Sequence, residues 1–286
     1  MIKTTVVKDG FEGIFFPIAE RKDKAVIVVS GSNGGMKMTK DCAEFYYKNG
    51  VPALAVALFK TKDTPKNLDR IPIEYIESAI KWLESKGYEK IGIDGTSKGS
   101  EIALLSASMF KELTCVIARV PSHFISEGLT AHGKSKKPSG TSCWSYRGNE
   151  IPFAPYSSRI FNIPAIILKE KELHLITVNR EKTVTEQNII PVEKINGSIL
   201  ILSAVNDMVW PSYESSLYIE NRLRENNFSF PYKHISFPTL SHAMLTEISP
   251  IYKLVFKTER QNKAKCAEER KQLSAELLNW IENVWK

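Results

Sequence analysis

Lys90-Ile91-Gly92-Ile93-Asp94-Gly95-Thr96-Ser97-Lys98-Gly99-Ser100-Glu101-Ile102-Ala103-Leu104-Leu105 carries two kinds of structure and one abrupt change between them. Residues 90–94 read as a short buried strand, and residues 100–110, rich in Ala, Leu and Ser, read as an apolar helix. Between them Gly95-Thr96-Ser97-Lys98-Gly99 matches G-x-S-x-G. The glycines permit a sharp turn, and the turn lifts the Ser97 hydroxyl above the sheet in front of a helix N-terminus, where developing negative charge is favoured. The placement between strand and helix carries this reading more than the pentapeptide does.

The flanking sequence repeats the same alternation. Upstream, Ala25-Val26-Ile27-Val28-Val29 is a continuous branched run of the kind buried on both sides of a sheet, ending in Ser30-Gly31-Ser32-Asn33-Gly34-Gly35. Residues 39–49 read as a helix stopped by Gly50, and residues 52–59 as a strand. Residues 73–86 read as a helix with Ile73, Ile76, Ile80 and Leu83 on one face and Gly87 as its stop. Downstream, strands are expected at 113–120, 198–203 and 232–237, a helix from about Ser212, and a closing amphipathic helix over 268–284. Runs at 4–7 and 13–18 suit two antiparallel edge strands. The pattern predicts an α/β domain with a mostly parallel central sheet and helices on both faces. Between about residues 126 and 193 the alternation fails. Pro138, Pro152, Pro155 and Pro164, a basic run at 134–137, and apolar runs at 163–168 and 173–178 suggest a lid or cap inserted into a single domain spanning 1–286.

Composition narrows the function classes. With 286 residues, 43% apolar and 25% charged, the chain can build a sizeable core. The N-terminus shows no apolar stretch of signal-peptide length and no window reaches a membrane span, so a cytoplasmic enzyme is expected, without membrane partners. Cys42, Cys115, Cys143 and Cys266 are scattered, which argues against a zinc site or a disulfide framework. The net charge of +7 is spread along the chain and mixed with acids, unlike the concentrated stripe of a nucleic-acid binder, and fits an anionic small substrate.

A serine hydroxyl is a weak nucleophile and needs a base, which in turn needs a group to fix its tautomer. In the α/β-hydrolase fold these follow in the order Ser, acid, His. Asp207 stands just after the strand at 198–203, and His242 just after the strand ending at Phe237. Both are at carboxyl ends of strands, the edge on which open sheets carry their sites. His234 lies within a strand, His132 and His174 lie in the insertion, and His123 precedes both positions, with a pocket-lining role left open for it. Asp94 is on the wrong side of the turn and Asn206 is no carboxylate. An oxyanion hole is expected from the Lys98 N–H with a second donor from Ser32 or Asn33.

The chain resembles the catalytic domain shared by acyl-CoA thioesterases and bile acid-CoA:amino acid N-acyltransferases, in a bacterial form. The residues that carry the resemblance are Thr96-Ser97-Lys98-Gly99 leading into EIALLSAS, Ser142-Cys143-Trp144-Ser145-Tyr146-Arg147-Gly148, and Asn206-Asp207-Met208-Val209-Trp210. It implies Ser97, Asp207 and His242 as the triad and an acyl thioester or ester as substrate, with no metal or organic cofactor. Transferases of the family carry cysteine at the nucleophile, so Ser97 points to water as acceptor. Lys134, Lys136, Lys137 and Arg147 are expected to meet the phosphates of coenzyme A. A carboxylesterase or peptidase of the same fold, an N-acyltransferase, and an inactive binding protein stay open as alternatives.

Overall fold

The computed structural model describes residues 1–132, 135–157 and 183–286. The chain opens with strand β1 (Ile2–Thr4), one helical turn α1 (Val6–Asp9) and strand β2 (Glu12–Phe16). The two strands pair antiparallel as expected, but Val6 and Val7 are not in the first. The Thr5 hydroxyl accepts the Lys8 N–H at 3.3 Å and Gly10 ends the turn at φ +81°, so the run expected over 4–7 is cut at Thr4.

From β3 (Lys24–Val29) strands and helices alternate: α2 (Lys37–Lys48), β4 (Ala53–Ala57), the short β5 (Ile71–Pro72), α3 (Glu74–Ser85), β6 (Lys90–Thr96), α4 (Lys98–Met109) and β7 (Leu113–Arg119). Four short strands follow, β8 (Glu127–His132), β9 (Ser135–Ser142), β10 (Trp144–Tyr146) and β11 (Asn149–Glu150). The alternation resumes with β12 (Ser198–Ala204), α5 (Ser212–Glu225) and β13 (Tyr232–Phe237). Then come α6 (Pro250–Val255), α7 (Lys257–Gln261) and α8 (Lys263–Asn279), continued by a π-helical turn over Trp280–Val284.

The main sheet runs β1-β2-β4-β3-β6-β7-β12-β13, antiparallel as far as β4 and parallel beyond it. Strands β3, β4 and β12 are buried at every residue, which is why they read as continuous apolar runs without alternation. One face is covered by α3, α4 and α5 through Ile76, Ile80, Leu83, Ile102, Leu104, Ile219 and Leu223. The other is covered by α2 and α8 through Ala43, Tyr46, Leu273 and Leu277, with Trp280 and Trp285 behind them. The closing helix begins at Lys263, five residues before the expected start, because its first turns are polar and carry no apolar period.

The described part of the segment expected as a lid or cap is built of short strands. β8 and β9 form a hairpin, and β10 pairs with β11 and with β5 of the main body. Leu129 exchanges backbone hydrogen bonds with Leu68 at 2.7 and 3.1 Å, and Arg70, Ile71 and Ile73 donate to the carbonyls of Ser142, Cys143 and Ser145. Trp144 and Cys143 are fully buried in the core under α3 and α4. The apolar runs at 163–168 and 173–178 lie outside the described residues.

Candidate active site

β6 delivers Ser97 onto a turn that only glycine on either side allows. A side chain at Gly95 would sit 2.0 Å from the Gly99 carbonyl oxygen, and one at Gly99 would sit 2.6 Å from that of Val29. Ser97 itself holds φ 58°, ψ −119°, a conformation rare for a residue with a Cβ and kept only where the surroundings impose it. Its carbonyl accepts the Ser100 N–H at 2.9 Å as α4 begins. The N–H of Lys98, first in the helix, has no intrahelical acceptor.

Ser97 Oγ lies 2.8 Å from His242 Nε2, and His242 Nδ1 lies 2.8 and 3.0 Å from the two carboxylate oxygens of Asp207. A carboxylate only accepts, so Nδ1 carries the proton it donates to Asp207 and Nε2 is left to accept from the serine hydroxyl. Asp207 is buried in the turn after β12, where Oδ1 also accepts the N–H groups of Val209 at 2.8 Å and Trp210 at 3.3 Å. The Trp210 indole packs edge-on to the His242 ring at 5.9 Å and donates to the Val120 carbonyl at 3.0 Å. Val120 holds φ 46°, unusual for a β-branched residue, and this turns its carbonyl to that contact.

The loop carrying His242 is held by residues that sequence reasoning passed over. Glu259 of α7 accepts the Ser241 hydroxyl at 2.7 Å and pairs with Arg270 of α8 at 2.6 Å. Glu269 accepts the N–H groups of Thr239 and Leu240 at 3.0 and 2.8 Å. Burial acts against the charge of Glu259, but the hydrogen bonds from Arg270 and Ser241 outweigh it and hold the carboxyl below its ordinary range. Asp94, set aside as lying on the wrong side of the turn, is buried in an ion pair with Arg119, 2.9 Å from its Nε, and accepts the Tyr46 hydroxyl at 2.6 Å.

A second unforeseen cluster lies on the other side of the turn. The Lys98 side chain is almost completely buried and pairs with Glu101 at 2.9 Å; its Nζ also meets the Ser126 hydroxyl. Glu101 accepts the Trp144 indole N–H at 2.8 Å and the Ser126 N–H at 3.1 Å, and the Tyr156 hydroxyl reaches Ser126 at 3.2 Å. Burial opposes the ammonium. Cys143 beside it is pushed up to about 12 by its own burial and stays a neutral thiol, so the Glu101 carboxylate is the charge that holds Lys98 protonated. Through Trp144 the network ties the insertion to α4, the helix that begins directly after Ser97.

The loop after β3 stands against the elbow. A side chain on Gly31 would lie 2.9 Å from Ser97 Cβ and 3.4 Å from Ser97 Oγ, so only a glycine fits there beside the serine, and the Ser32 peptide follows directly from it. Asn33 turns its side-chain amide to the Tyr252 hydroxyl at 2.5 Å. His123 is buried, with Nδ1 3.1 Å from the Ser215 hydroxyl and its ring stacked on Tyr218 at 4.2 Å; these contacts seat it against α5.

The four basic residues expected to act together engage different neighbours. Lys136 on β9 donates to the Ser32 carbonyl, and burial, reinforced by the nearby Lys60 charge, brings it down to about 8. Lys137 is exposed on the same hairpin. Arg147 sits in the β10–β11 turn, its N–H donating to Glu74 at 2.6 Å and its guanidinium over the Tyr146 ring at 5.1 Å. Lys134 lies outside the described residues.

The family described as BAAT / Acyl-CoA thioester hydrolase C terminal matches residues 71–274. The chain belongs to that family. Curated relatives include mouse mitochondrial acyl-coenzyme A thioesterase 2, 26% identical over 232 residues, covering 80% of this chain and 47% of that protein. Mouse acyl-coenzyme A amino acid N-acyltransferase 1 is 27% identical over 245 residues, covering 83% and 52%. The chain thus spans about half the length of the curated relatives it matches. Among solved structures, a Pyrococcus furiosus esterase superposes with a TM-score of 0.54 at 15% identity, covering 94% of this chain and 87% of that one. Est1E of Butyrivibrio proteoclasticus, solved with ferulic acid, superposes with 0.53 at 15% identity, covering 96% and 97%. The fold is that of the α/β hydrolases. Among the described residues of this family member, no helix is long and apolar enough to cross a membrane.

Proposed function

We propose that the protein is a serine hydrolase that cleaves an acyl thioester, in the first instance an acyl-CoA, through an acyl-enzyme on Ser97. The observation that carries the proposal is the unbroken relay from Ser97 Oγ through His242 to Asp207, each step at 2.8 Å, mounted on a strained elbow in a chain of this family.

His242 Nε2 takes the hydroxyl proton as Ser97 Oγ attacks the thioester carbonyl carbon, and Asp207 stabilises the imidazolium that forms. The oxyanion develops between the Lys98 N–H and an N–H of Ser32 or Asn33, in front of the α4 N-terminus. Collapse breaks the carbon–sulfur bond, the thiolate leaves with the proton from His242, and the acyl group remains on the serine. Water, deprotonated by the same imidazole, attacks the ester carbonyl and restores the hydroxyl. Ser97 in place of the family's transferase cysteine supports water over an amine as acceptor, since an oxygen ester is the less reactive acyl donor. Lys137 and Arg147 are the described cations assigned to the coenzyme A phosphates, with Lys134 as a further candidate, in the cytoplasm as the expected compartment.

Neutral oxygen esters are the second reading, favoured by the esterases among the structural neighbours. A panel of acyl-CoAs and p-nitrophenyl esters of matched chain length tests the choice. A higher kcat/KM on the thioesters is expected. Turnover confined to the oxygen esters would contradict the proposal, and absence of labelling by a fluorophosphonate probe would remove the activated serine altogether.

A further inference from the structure

We propose that Arg119 is a positioning residue for the chemistry: with Val120 it ties together the three segments that carry Ser97, Asp207 and His242, and its guanidinium sets where the histidine loop stands relative to the serine. The inference rests on the hydrolase reading above.

Two of the three segments are fixed by backbone. β7 lies between β6, which leads to Ser97, and β12, which leads to Asp207, and Arg119 is its last residue. In register it faces Thr96 on one side and Leu202 on the other. The Arg119 carbonyl accepts the Ser97 N–H at 2.9 Å, and the Val120 N–H donates to the Leu202 carbonyl at 2.7 Å. The Val120 carbonyl accepts the Trp210 indole N–H at 3.0 Å, and the backbone N–H of the same tryptophan donates to Asp207.

The third segment needs a side chain. His242 follows β13, the edge strand, and β12 stands between β13 and β7, so the backbone of β7 does not pair with the strand that leads to the histidine. The Arg119 guanidinium crosses that gap. Its Nη1 donates to the Met244 carbonyl in a long hydrogen bond of 3.5 Å, and the Met244 N–H closes a tight turn on the His242 carbonyl at 2.8 Å. Arg119 and Met244 are both buried, so water does not compete for the contact.

Asp94 aims the guanidinium. It sits on β6 three residues before Ser97, and its Oδ1 accepts Arg119 Nε at 2.9 Å while Oδ2 meets Nη2. Tyr46 of α2 donates to Oδ2 at 2.6 Å and lies 3.4 Å from Nη2, closing the cluster on its other side. A planar fork that spends Nε and Nη2 on one carboxylate leaves Nη1 pointing in a single direction, here towards the histidine loop. Burial acts against the Arg119 charge, but the attraction and hydrogen bonds of Asp94 outweigh it and the guanidinium stays protonated. A buried ion pair adds little net stability over an apolar pair of the same size; what this one supplies is direction. The strand that presents the nucleophile thereby also aims the group that places the base.

The test compares the wild type with Asp94→Asn/Arg119→Met, which removes both charges together and strands neither, and with Arg119→Lys, whose single ammonium cannot hold the carboxylate by two parallel bonds and reach Met244 as well. Three quantities are read: kcat and KM on the best thioester, the rate of labelling by a fluorophosphonate probe, and the low-field proton resonance of His242 Nδ1–H, identified by its loss in His242→Ala. In both variants kcat and the labelling rate should fall by about tenfold or more while KM stays within about twofold, because a displaced base costs rate and not ground-state binding. The resonance should shift, and the double variant should unfold thermally close to the wild type. Wild-type labelling with an unmoved resonance in a folded variant, or a loss that only tracks the unfolded fraction, would overturn the inference. If the double variant fails to fold, Arg119→Lys decides by the same three readouts. A wild type that the probe does not label would sink the hydrolase reading, whereas a labelled wild type with equally labelled variants would sink the positioning role alone.

Discussion

The first turn of α4 faces two polar clusters that differ in how the chain supplies them. On one side, Ser97, Asp207 and His242 each ride on a local backbone device: a glycine-flanked elbow, an aspartate that accepts the N–H groups two and three residues on, and a loop at the end of a strand. On the other side, Lys98, Glu101, Ser126, Trp144 and Tyr156 meet only because the insertion folds back onto the helix. The first cluster keeps a little exposure, with the His242 side chain 12% exposed. The second is sealed, with Glu101 and Lys98 at or near zero exposure. On the proposed function, the difference separates groups assigned to the chemistry from groups that hold them in place.

Substitutions on the two sides should therefore fail in different ways. The largest effect is expected at the triad: Ser97→Ala and His242→Ala each lower kcat/KM by about 10³-fold or more. Both should unfold thermally close to the wild type. Asp207→Asn should cost about 10²- to 10⁴-fold, by steady-state kinetics on the best thioester. Near-native turnover in either alanine variant would collapse the distinction from the chemical side.

Glu101→Gln attacks the sealed side. It leaves the Lys98 ammonium buried without its counter-charge, a loss of about 3–5 kcal/mol by denaturant titration. Adding Lys98→Met should recover part of that loss. A Glu101→Gln protein as stable as the wild type but inactive would mean that Glu101 belongs with the chemistry.

A smaller effect, and a pH dependence, is expected at the support of the histidine loop. The Glu259 carboxyl is held below its ordinary value of 4.5, so its contribution is complete above that value and is lost as pH falls through the lower folded value. Glu259→Gln should destabilise by about 2 kcal/mol at pH 7 and flatten the fall in stability across that acid window. Parallel wild-type and variant curves below pH 4.5 would remove Glu259 from the account. The smallest effect belongs to Lys137→Gln and Arg147→Gln, which should raise KM for acyl-CoA by about two- to threefold at low salt with kcat little changed.

The same contrast explains what the sequence disclosed. Strands β3, β6, β7, β12 and β13, and the helices α2 to α5, were legible because apolar period and glycine stops are local signals. That Ser97, Asp207 and His242 would come together was legible because strand ends and chain order are fixed by the fold. Glu259, Glu269 and Arg270 gave no signal, since the backbone and hydroxyl they bind are 18 to 30 residues away. The strands inside the segment expected as a lid or cap were not legible because Gly128, Pro138 and Gly140 disguise them and their pairing partners include Leu68 and residues 70–73 of another segment. The basic run looked like one patch in sequence, yet alternate residues of a strand face opposite ways, and Lys136 turns to the serine loop while Lys137 stays in solvent.

Rapid quench of the enzyme with an acyl-CoA, followed by intact mass and peptide mapping, tests the central claim most directly. An acyl adduct confined to the peptide bearing Ser97, formed at a rate competent for turnover and missing in Ser97→Ala, is the predicted result. An adduct on another residue, or thioester turnover undiminished in Ser97→Ala, would contradict it.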